Sequence, residues 1–243
     1  MDVPQPTTEA EIEQVLRSTA NGPPDFGDDQ PWDFALRWSP SFVLASVWRV
    51  VSRLLVDPDA TIRTRALEFA NAWTAGAGMT VPRLIEITRD HAGAYPEPEL
   101  RVEVSRTLAN LSVTVRSFRA KIAAAIVSMI GAAPLPRGTT ALLAEYEPDA
   151  VIASAGRWTD DDEDQTAAES TAGAMAMYRR DHVVALMRAL AGRSAAFREG
   201  VAKAIADPIA IPDDKLQLIL ANDGLPKPAT TPTIDECRRA LGL

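Results

Sequence analysis

Apolar residues recur every three or four positions through most of this chain, which is the spacing of one face of an α-helix. The clearest pattern follows Ser39-Pro40, a cap residue and a first-turn proline. Its apolar members are Val43, Leu44, Val47, Trp48, Val51, Leu54 and Leu55. Similar patterns cover 59–73, 81–91 and 97–111, and Gly76-Ala77-Gly78 is expected to separate the first pair of helices from the second. Short links between such helices favour antiparallel hairpins.

An acidic-proline-acidic tripeptide precedes three of the predicted helices. Its copies are Asp57-Pro58-Asp59, Glu97-Pro98-Glu99 and Glu147-Pro148-Asp149. Proline suits the first helical turn because its missing N–H is not needed there, and acids favour the positive end of the helix dipole. The copies start 40 and 50 residues apart, which suits stacked helical hairpins with periods of roughly 40–47 residues. We interpret them as repeated helix starts.

The segment from Leu54 to Leu67 resembles the second helix of a HEAT repeat, in which an arginine follows six residues after the Asp of the preceding turn. Asp57 and Arg63 have this spacing. The resemblance covers about residues 41–157. It implies an α-solenoid of stacked hairpins in which Asp57 and Arg63 have structural roles.

The later copies depart from that pattern. In the second copy Arg101 is present, but Tyr95 occupies the position six residues before it. The interval from Arg63 to Arg101 is shorter than the interval between the first two tripeptides, so the register of the second copy slips by two. In the third copy Ala153 stands where the arginine is expected.

The sequence therefore predicts an all-α protein, HEAT-like in its first two-thirds, with a helical C-terminal part. Further helices are expected over 113–130, 139–146, 148–155, 168–191, 195–206 and 213–221. The expected organisation is an N-terminal extension over 1–38 with one short helix at 8–19, helical repeats over 39–157, an acidic loop over 158–167, C-terminal helices over 168–222, and a proline-rich linker with a short terminal helix over 223–243. Thr233 to Glu236 is a capping box at the start of that last helix.

The composition favours a cytoplasmic protein. The single cysteine, Cys237, cannot form an intramolecular disulfide, which suits a reducing compartment. The N-terminus has neither the basic nor the apolar region of a secretory signal. The longest apolar run, 42–56, contains two arginines and is shorter than the ~20 residues needed to span a bilayer, so we expect no membrane partner.

The net charge of −8 is unevenly distributed. Residues 145–169 hold nine acids and one base, and residues 1–40 hold eight acids and two bases. Residues 42–143 hold twelve bases and eight acids, so mildly basic helices alternate with acidic connections. General affinity for nucleic acid requires a net basic surface, and the charge argues against it.

Trp158 and the acidic run that follows it form the candidate partner-binding site. Its acidic members are Asp160, Asp161, Asp162, Glu163 and Asp164. Such a run can bind a basic protein, hold a cation loosely or be an ordinary solvated loop. It lacks the alternating Asp/Gly pattern of a calcium loop.

No catalytic, metal or cofactor site is expected. The two histidines, His91 and His182, each follow an Arg-Asp pair, but adjacent helical residues point about 100° apart and cannot converge on one ion unaided. No nucleophile elbow, phosphate-binding glycine loop, His-Glu-x-x-His or Cys-x-x-Cys occurs in the sequence.

The sequence thus favours a non-catalytic protein-interaction module: an adaptor, a scaffold, or an immunity or inhibitor protein that binds a basic partner by shape and acidic surface. The alternative is a HEAT-like or helical-bundle protein that acts on nucleic acid or nucleotides. That alternative rests on the densest basic stretch, which comprises Arg101, Arg106, Arg116, Arg119 and Lys121.

Overall fold

The computed structural model describes residues 8–18, 43–72, 77–89, 95–131, 133–206 and 233–242. These ranges are helices joined by turns and contain no β-strand, which confirms the all-α class. The chain divides into two compact units, residues 1–115 and 116–243. The boundary between them lies at residue 115, whereas the repeat pattern was expected to continue to residue 157.

The described part of the first unit consists of five helices. They are α1 (Glu9–Ser18), α2 (Val43–Leu54), α3 (Ala60–Ala72), α4 (Ala77–Arg89) and α5 (Pro98–Leu111). Helices α2 and α3 pack together, as do α4 and α5, and α3 also packs against α5. The core includes an edge-to-face pair of Trp48 and Phe69, whose ring centroids are 6.0 Å apart.

The prediction of a turn at residues 76–78 is wrong in part, because Ala77 and Gly78 already belong to α4. Pro82 lies inside this helix. Thr80, Val81 and Leu84 are buried on its inner face, and burial of this face outweighs the weak helix propensity of glycine and proline. The predicted cap Ser39-Pro40 lies outside the described residues.

Helices α3 and α5 begin at Ala60 and Pro98, which are 38 residues apart, as are Arg63 and Arg101. The first two tripeptides start 40 residues apart, so the predicted slip of two residues is confirmed. In the first copy the cap is Asp59, whose carboxylate accepts a hydrogen bond from the N–H of Thr61 at 2.8 Å. Pro58 therefore precedes the helix instead of lying in its first turn. Pro98 and Pro148, by contrast, are the first residues of their helices, as predicted.

The second unit is organised around one long helix, α9. Its helices are α6 (Arg119–Ile130), α7 (Thr140–Tyr146), α8 (Pro148–Ala155), α9 (Asp162–Tyr178), α10 (Arg180–Leu190), α11 (Ala195–Ala206) and α12 (Ile234–Leu241). Single 3₁₀ turns, Arg116–Phe118 and Arg137–Thr139, precede α6 and α7. Helix α9 packs against α7, α10 and α11, and α12 packs against α10 and α11.

Three predicted helix boundaries in this part of the chain are wrong. The helix expected from Val113 begins at Arg119, and Val113 is 75% exposed in the preceding turn. The single helix expected over 168–191 is two helices, because Arg179 adopts a non-helical conformation (φ −139°, ψ 54°). Helix α9 also begins six residues early, inside the acidic run. The helix expected over 213–221 lies outside the described residues.

Small residues let α9 and α11 approach closely. Ala168, Ala172 and Ala176 of α9 are fully buried. A Cβ on Gly173 would lie 3.7 Å from the carbonyl oxygen of Ala204 on α11, and a Cβ on Gly200 would collide with the carboxylate of Glu169. Both glycines thus lie at the contact of α9 with α11, Gly173 near backbone and Gly200 against the Glu169 side chain.

The terminal helix α12 docks on its own unit. Thr233 and Glu236 form the predicted capping box, in which the N–H of Thr233 donates to the Glu236 carboxylate at 2.7 Å. Arg198 of α11 donates to the carbonyl oxygens of Leu241 and Gly242 at the end of α12. The Leu241 side chain is fully buried.

Candidate functional site

The acidic run 160–164 forms the N-terminus of α9 in the second unit. Asp161 is the cap residue, and its carboxylate accepts a 2.7 Å hydrogen bond from the N–H of Asp164. Asp162, Glu163 and Asp164 occupy the first turn, where the positive end of the helix dipole favours negative charge. The run is therefore mostly a helix start, whereas residues 158–167 were expected to be a loop.

Arg137 fixes this helix start from the 3₁₀ turn before α7. Its Nε donates to Asp164 at 2.6 Å, one Nη lies 3.2 Å from Asp161, and the other pairs with Glu163. Asp164 is 4% exposed and also accepts from the N–H and the hydroxyl of Thr159, at 2.6 and 3.0 Å. A buried carboxylate is stable only when its charge is compensated in this way.

These contacts keep the carboxylates ionised. Burial alone would raise the pKa of Asp164, but the hydrogen bonds from Arg137 and Thr159 hold that pKa below its ordinary value. Hydrogen bonds from the Thr159 hydroxyl and the Asp164 N–H likewise lower the pKa of Asp161. In return, the Asp164 carboxylate raises the pKa of Arg137. Asp161 and Asp164 are therefore ionised at neutral pH.

Two neighbouring contacts hold the segment before α9. The Asp160 carboxylate accepts a 2.9 Å hydrogen bond from the N–H of Ser194, which precedes α11. Arg193 donates to the backbone oxygen of Trp158 at 2.5 Å. The indole of Trp158 is buried, with the residue 5% exposed, so it supports this segment from inside and does not face solvent as a binding residue would.

Four carboxylates of the run remain on the surface. Asp160, Asp161, Asp162 and Glu163 are exposed, and we call them the acidic surface. Among the described residues, no hydrogen bond or ion pair reaches the Asp162 side chain. This surface can receive the guanidinium or ammonium groups of a basic ligand. Arg137, Thr159 and Arg193, which hold it in place, were missed because they are identified only by the fold.

The repeat positions Asp57 and Arg63 are structural in the first unit. Arg63 is 5% exposed, and its Nη1 donates to the backbone oxygen of Asp57 at 2.7 Å. Its Nη2 donates to the carboxylate of Glu97 at 2.7 Å. The Asp57 carboxylate accepts instead from the N–H of Asp59, at 3.0 Å, and from Arg17, at 2.6 Å. Arg63 thus ties the start of α3 to the start of α5.

Tyr95 occupies the place of Asp57 in the second copy and makes a different link. Its hydroxyl donates to the backbone oxygen of Leu55, 40 residues earlier, at 2.5 Å. Burial raises the pKa of Tyr95, so the phenol remains a donor at neutral pH. Arg101 reaches the backbone oxygen of Pro96 at 3.4 Å, much as Arg63 reaches that of Pro58 at 3.2 Å.

The basic stretch expected to support nucleic-acid binding does not provide five free cations. Arg119 is largely buried, and one Nη donates to both carboxylate oxygens of Glu145 at 2.6 Å. Lys121 lies over the ring of Phe118, 5.6 Å from its centroid. Arg106 and Arg116 are exposed, but the first belongs to one unit and the second to the other.

His182 contacts two carboxylates of the second unit. Its Nδ1 lies 2.9 Å from Asp181, and its Nε2 lies 3.5 Å from the exposed Asp149 on α8. Asp181 and His182 are therefore in contact with each other in the first turn of α10. That such a pair cannot converge on one ion unaided stays a prediction. His91 lies outside the described residues. Within the described ranges, no group of three or more His, Cys, Asp or Glu residues could hold a metal ion.

Across the part of the chain that the structure describes, no helix combines the length and the apolar character needed to cross a bilayer. No family model matches the chain, and neither a curated protein nor a solved structure is significantly similar to it.

Proposed function

We propose that this protein is a non-catalytic interaction module whose acidic surface binds a basic protein partner. The observation that carries the proposal is the position of Asp160, Asp161, Asp162 and Glu163 on the surface while Asp164 and Arg137 fix the helix start beneath them. A charged surface that is already ordered loses little conformational entropy on binding. An adaptor, a scaffold and an immunity or inhibitor protein all fit this behaviour.

We further infer that the first unit is a stack of HEAT-like hairpins that supports binding by shape. Its links recur at nearly constant separation, since Arg17 contacts Asp57 and Tyr95 contacts Leu55 across 40 residues. Asn71 and Asn110 make a similar contact across 39 residues, at 3.1 Å. A regular translation of this kind is the property that lets repeats build an extended binding surface.

The test is to capture partners with the tagged full chain from an extract of the cells that make it. The capture is done at low and at moderate salt, with wild type beside Asp162→Asn/Glu163→Gln. These changes neutralise two of the four carboxylates of the acidic surface without removing the cap or the buried carboxylate. A stoichiometric protein that the variant retains poorly, and that salt releases, supports the proposal. Equal retention by both forms at both salt concentrations refutes the acidic surface as the site.

The nucleic-acid alternative has a separate test. A gel shift at low salt with duplex and single-stranded probes should show no complex, because Arg119 is paired with Glu145 and the chain is acidic overall. A salt-sensitive complex that disappears in Arg106→Gln or Arg116→Gln would favour the alternative instead.

A further inference from the structure

An alternating row of six charges joins α1 to the α2–α3 hairpin of the first unit. In order along the row, the members are Arg49, Glu9, Arg53, Glu13, Arg17 and Asp57. Every neighbouring pair is in contact, at distances from 2.6 to 3.1 Å. We call this set the charge ladder.

The ladder shows that α1 and α2 run parallel and in register. Glu13 contacts Arg53, and Arg17 contacts Asp57, each across 40 residues. Glu9 and Arg49 are in contact at the same separation in sequence. Successive pairs advance by four residues along both segments, which is about one turn of a helix. Ile12, between the two glutamates, is 2% exposed. Helix α1 is thus amphipathic, and its Ile12, Glu9 and Glu13 all lie against the α2–α3 hairpin.

The ion pairs that attach α1 to Arg49 and Arg53 are largely exposed to solvent. Arg49 and Arg53 keep 63% and 50% of their side-chain surface exposed while α1 is docked. Exposed ion pairs typically contribute about 0.2–1 kcal/mol each and weaken with salt. A helix of ten residues is also too short to be stable alone in water. A competing helix would have to replace these exposed pairs, the burial of Ile12 and the contact of Arg17 with Asp57.

The connection after α1 is longer than docking requires. Twenty-four residues separate Ser18 from Val43, and because the two helices are parallel the chain has to return by about the length of α2. That length is roughly 18 Å for twelve residues, whereas twenty-four residues can span roughly 80 Å. The segment 19–42 therefore contains more residues than this return requires.

We propose that the face of α2 bearing Arg49 and Arg53 is a docking site for an acidic amphipathic helix of a partner protein, and that α1 is the internal occupant this helix displaces. The partner helix would carry two carboxylates one turn apart beside an apolar residue, in the pattern of Glu9, Ile12 and Glu13. A base one turn later would reach Asp57. The inference rests on the proposed role as an interaction module but uses a different surface, of opposite charge.

The competition has a measurable consequence. A tethered occupant acts as a local competitor at an effective concentration of about 1 mM, so docking of α1 with a dissociation constant of about 0.1 mM should weaken any competing helix about tenfold. The probe is a labelled peptide of residues 8–18 with blocked ends. It is titrated against the full-length chain by fluorescence anisotropy, using wild type and Glu9→Lys/Glu13→Lys, in which α1 repels the arginines.

The peptide should bind Glu9→Lys/Glu13→Lys at least about tenfold more tightly than wild type. Adding Arg49→Glu/Arg53→Glu should abolish peptide binding and restore the docking of α1, with recovery of the melting temperature. This charge-swapped chain also controls for folding. Equal affinity for wild type and Glu9→Lys/Glu13→Lys, or binding that survives Arg49→Glu/Arg53→Glu, overturns the proposal.

A concentration-dependent dimer of wild type that the peptide dissociates would assign the face to a second copy and would equally overturn the partner assignment. None of these results alters binding through the acidic surface, which the capture with Asp162→Asn/Glu163→Gln tests separately.

Discussion

The guanidinium of Arg63 donates a 2.7 Å hydrogen bond to the carboxylate of Glu97, 34 residues further along the chain. Arg63 is buried in the first turns of α3, and Glu97 is the cap residue of α5, so the bond joins the start of α3 to the start of α5. The same guanidinium lies over the ring of Tyr95, 5.8 Å from its centroid. One arginine thus connects α3 and α5.

Arg63→Ala is therefore expected to lower the free energy of unfolding by about 2–4 kcal/mol, because it removes charged hydrogen bonds from a buried position. The matched control is Arg65→Ala, which removes only a pair with Glu68 on the helix surface and should change stability by less than about 0.5 kcal/mol. Urea denaturation followed by circular dichroism measures both. Similar losses for the two variants would contradict the structural role of Arg63.

Asp161 and Asp162 are adjacent in sequence, but only Asp161 is the cap residue of α9. Asp161→Ala removes the carboxylate that accepts from the Asp164 N–H and should cost about 1 kcal/mol of stability. Asp162→Ala removes a carboxylate with no such bond, and its effect should stay within about 0.5 kcal/mol. Thermal denaturation of the two variants makes the comparison. A larger loss for Asp162→Ala would mean that the helix starts elsewhere.

The buried carboxylate of Asp164 should make stability depend on acid pH. Its pKa is lower in the folded protein than in the unfolded chain, so its contribution is complete above the unfolded pKa of about 4 and is lost as the pH falls through the folded value. The difference in unfolding free energy between wild type and Asp164→Asn should be constant from about pH 5 to 7 and shrink below about pH 4. Urea titrations across that range test this, and a difference that grows on acidification would refute it.

Two glycines at the contact of α9 and α11 should respond differently to alanine. Gly173 has room for a methyl group 3.7 Å from the Ala204 carbonyl oxygen, so Gly173→Ala should raise stability by about 0.5–1 kcal/mol through helix propensity. Gly200→Ala has to push the Glu169 carboxylate away from its 2.9 Å hydrogen bond with Gln165, so its gain should be smaller. Chemical denaturation of both variants decides this, and destabilisation by Gly173→Ala would show that the contact is tighter than described.

Local chemistry in the sequence was sufficient for most helices of the described ranges. The proline tripeptides identify the starts of α5 and α8, and the capping box identifies α12. The start of α9 also had a local signal, since Asp161 precedes three acids in the way that a cap precedes a first turn. The prediction of a loop at this place relied on the density of negative charge and overlooked that Asp161 could cap a helix.

Contacts between distant residues could not be assigned in that way. Arg137 meets Asp164 across 27 residues, and Arg119 meets Glu145 across 26, and neither separation follows from helix periodicity. The charge ladder is an intermediate case. Glu9 and Arg49 are 40 residues apart, as are Glu13 and Arg53, and the first two tripeptides start at the same interval. The pairing of α1 with α2 could therefore have been predicted from that interval.

The most direct test of the interaction role is a competitive capture from one cell extract. Wild type and Asp162→Lys/Glu163→Lys are used as differently tagged baits in equal amounts, with Glu86→Lys/Glu99→Lys of the first unit as the control for charge. The proposed function expects one stoichiometric protein on wild type and on the control, and at least about tenfold less of it on the acidic-surface variant. Equal amounts on all three baits would contradict the proposal that the acidic surface binds a partner.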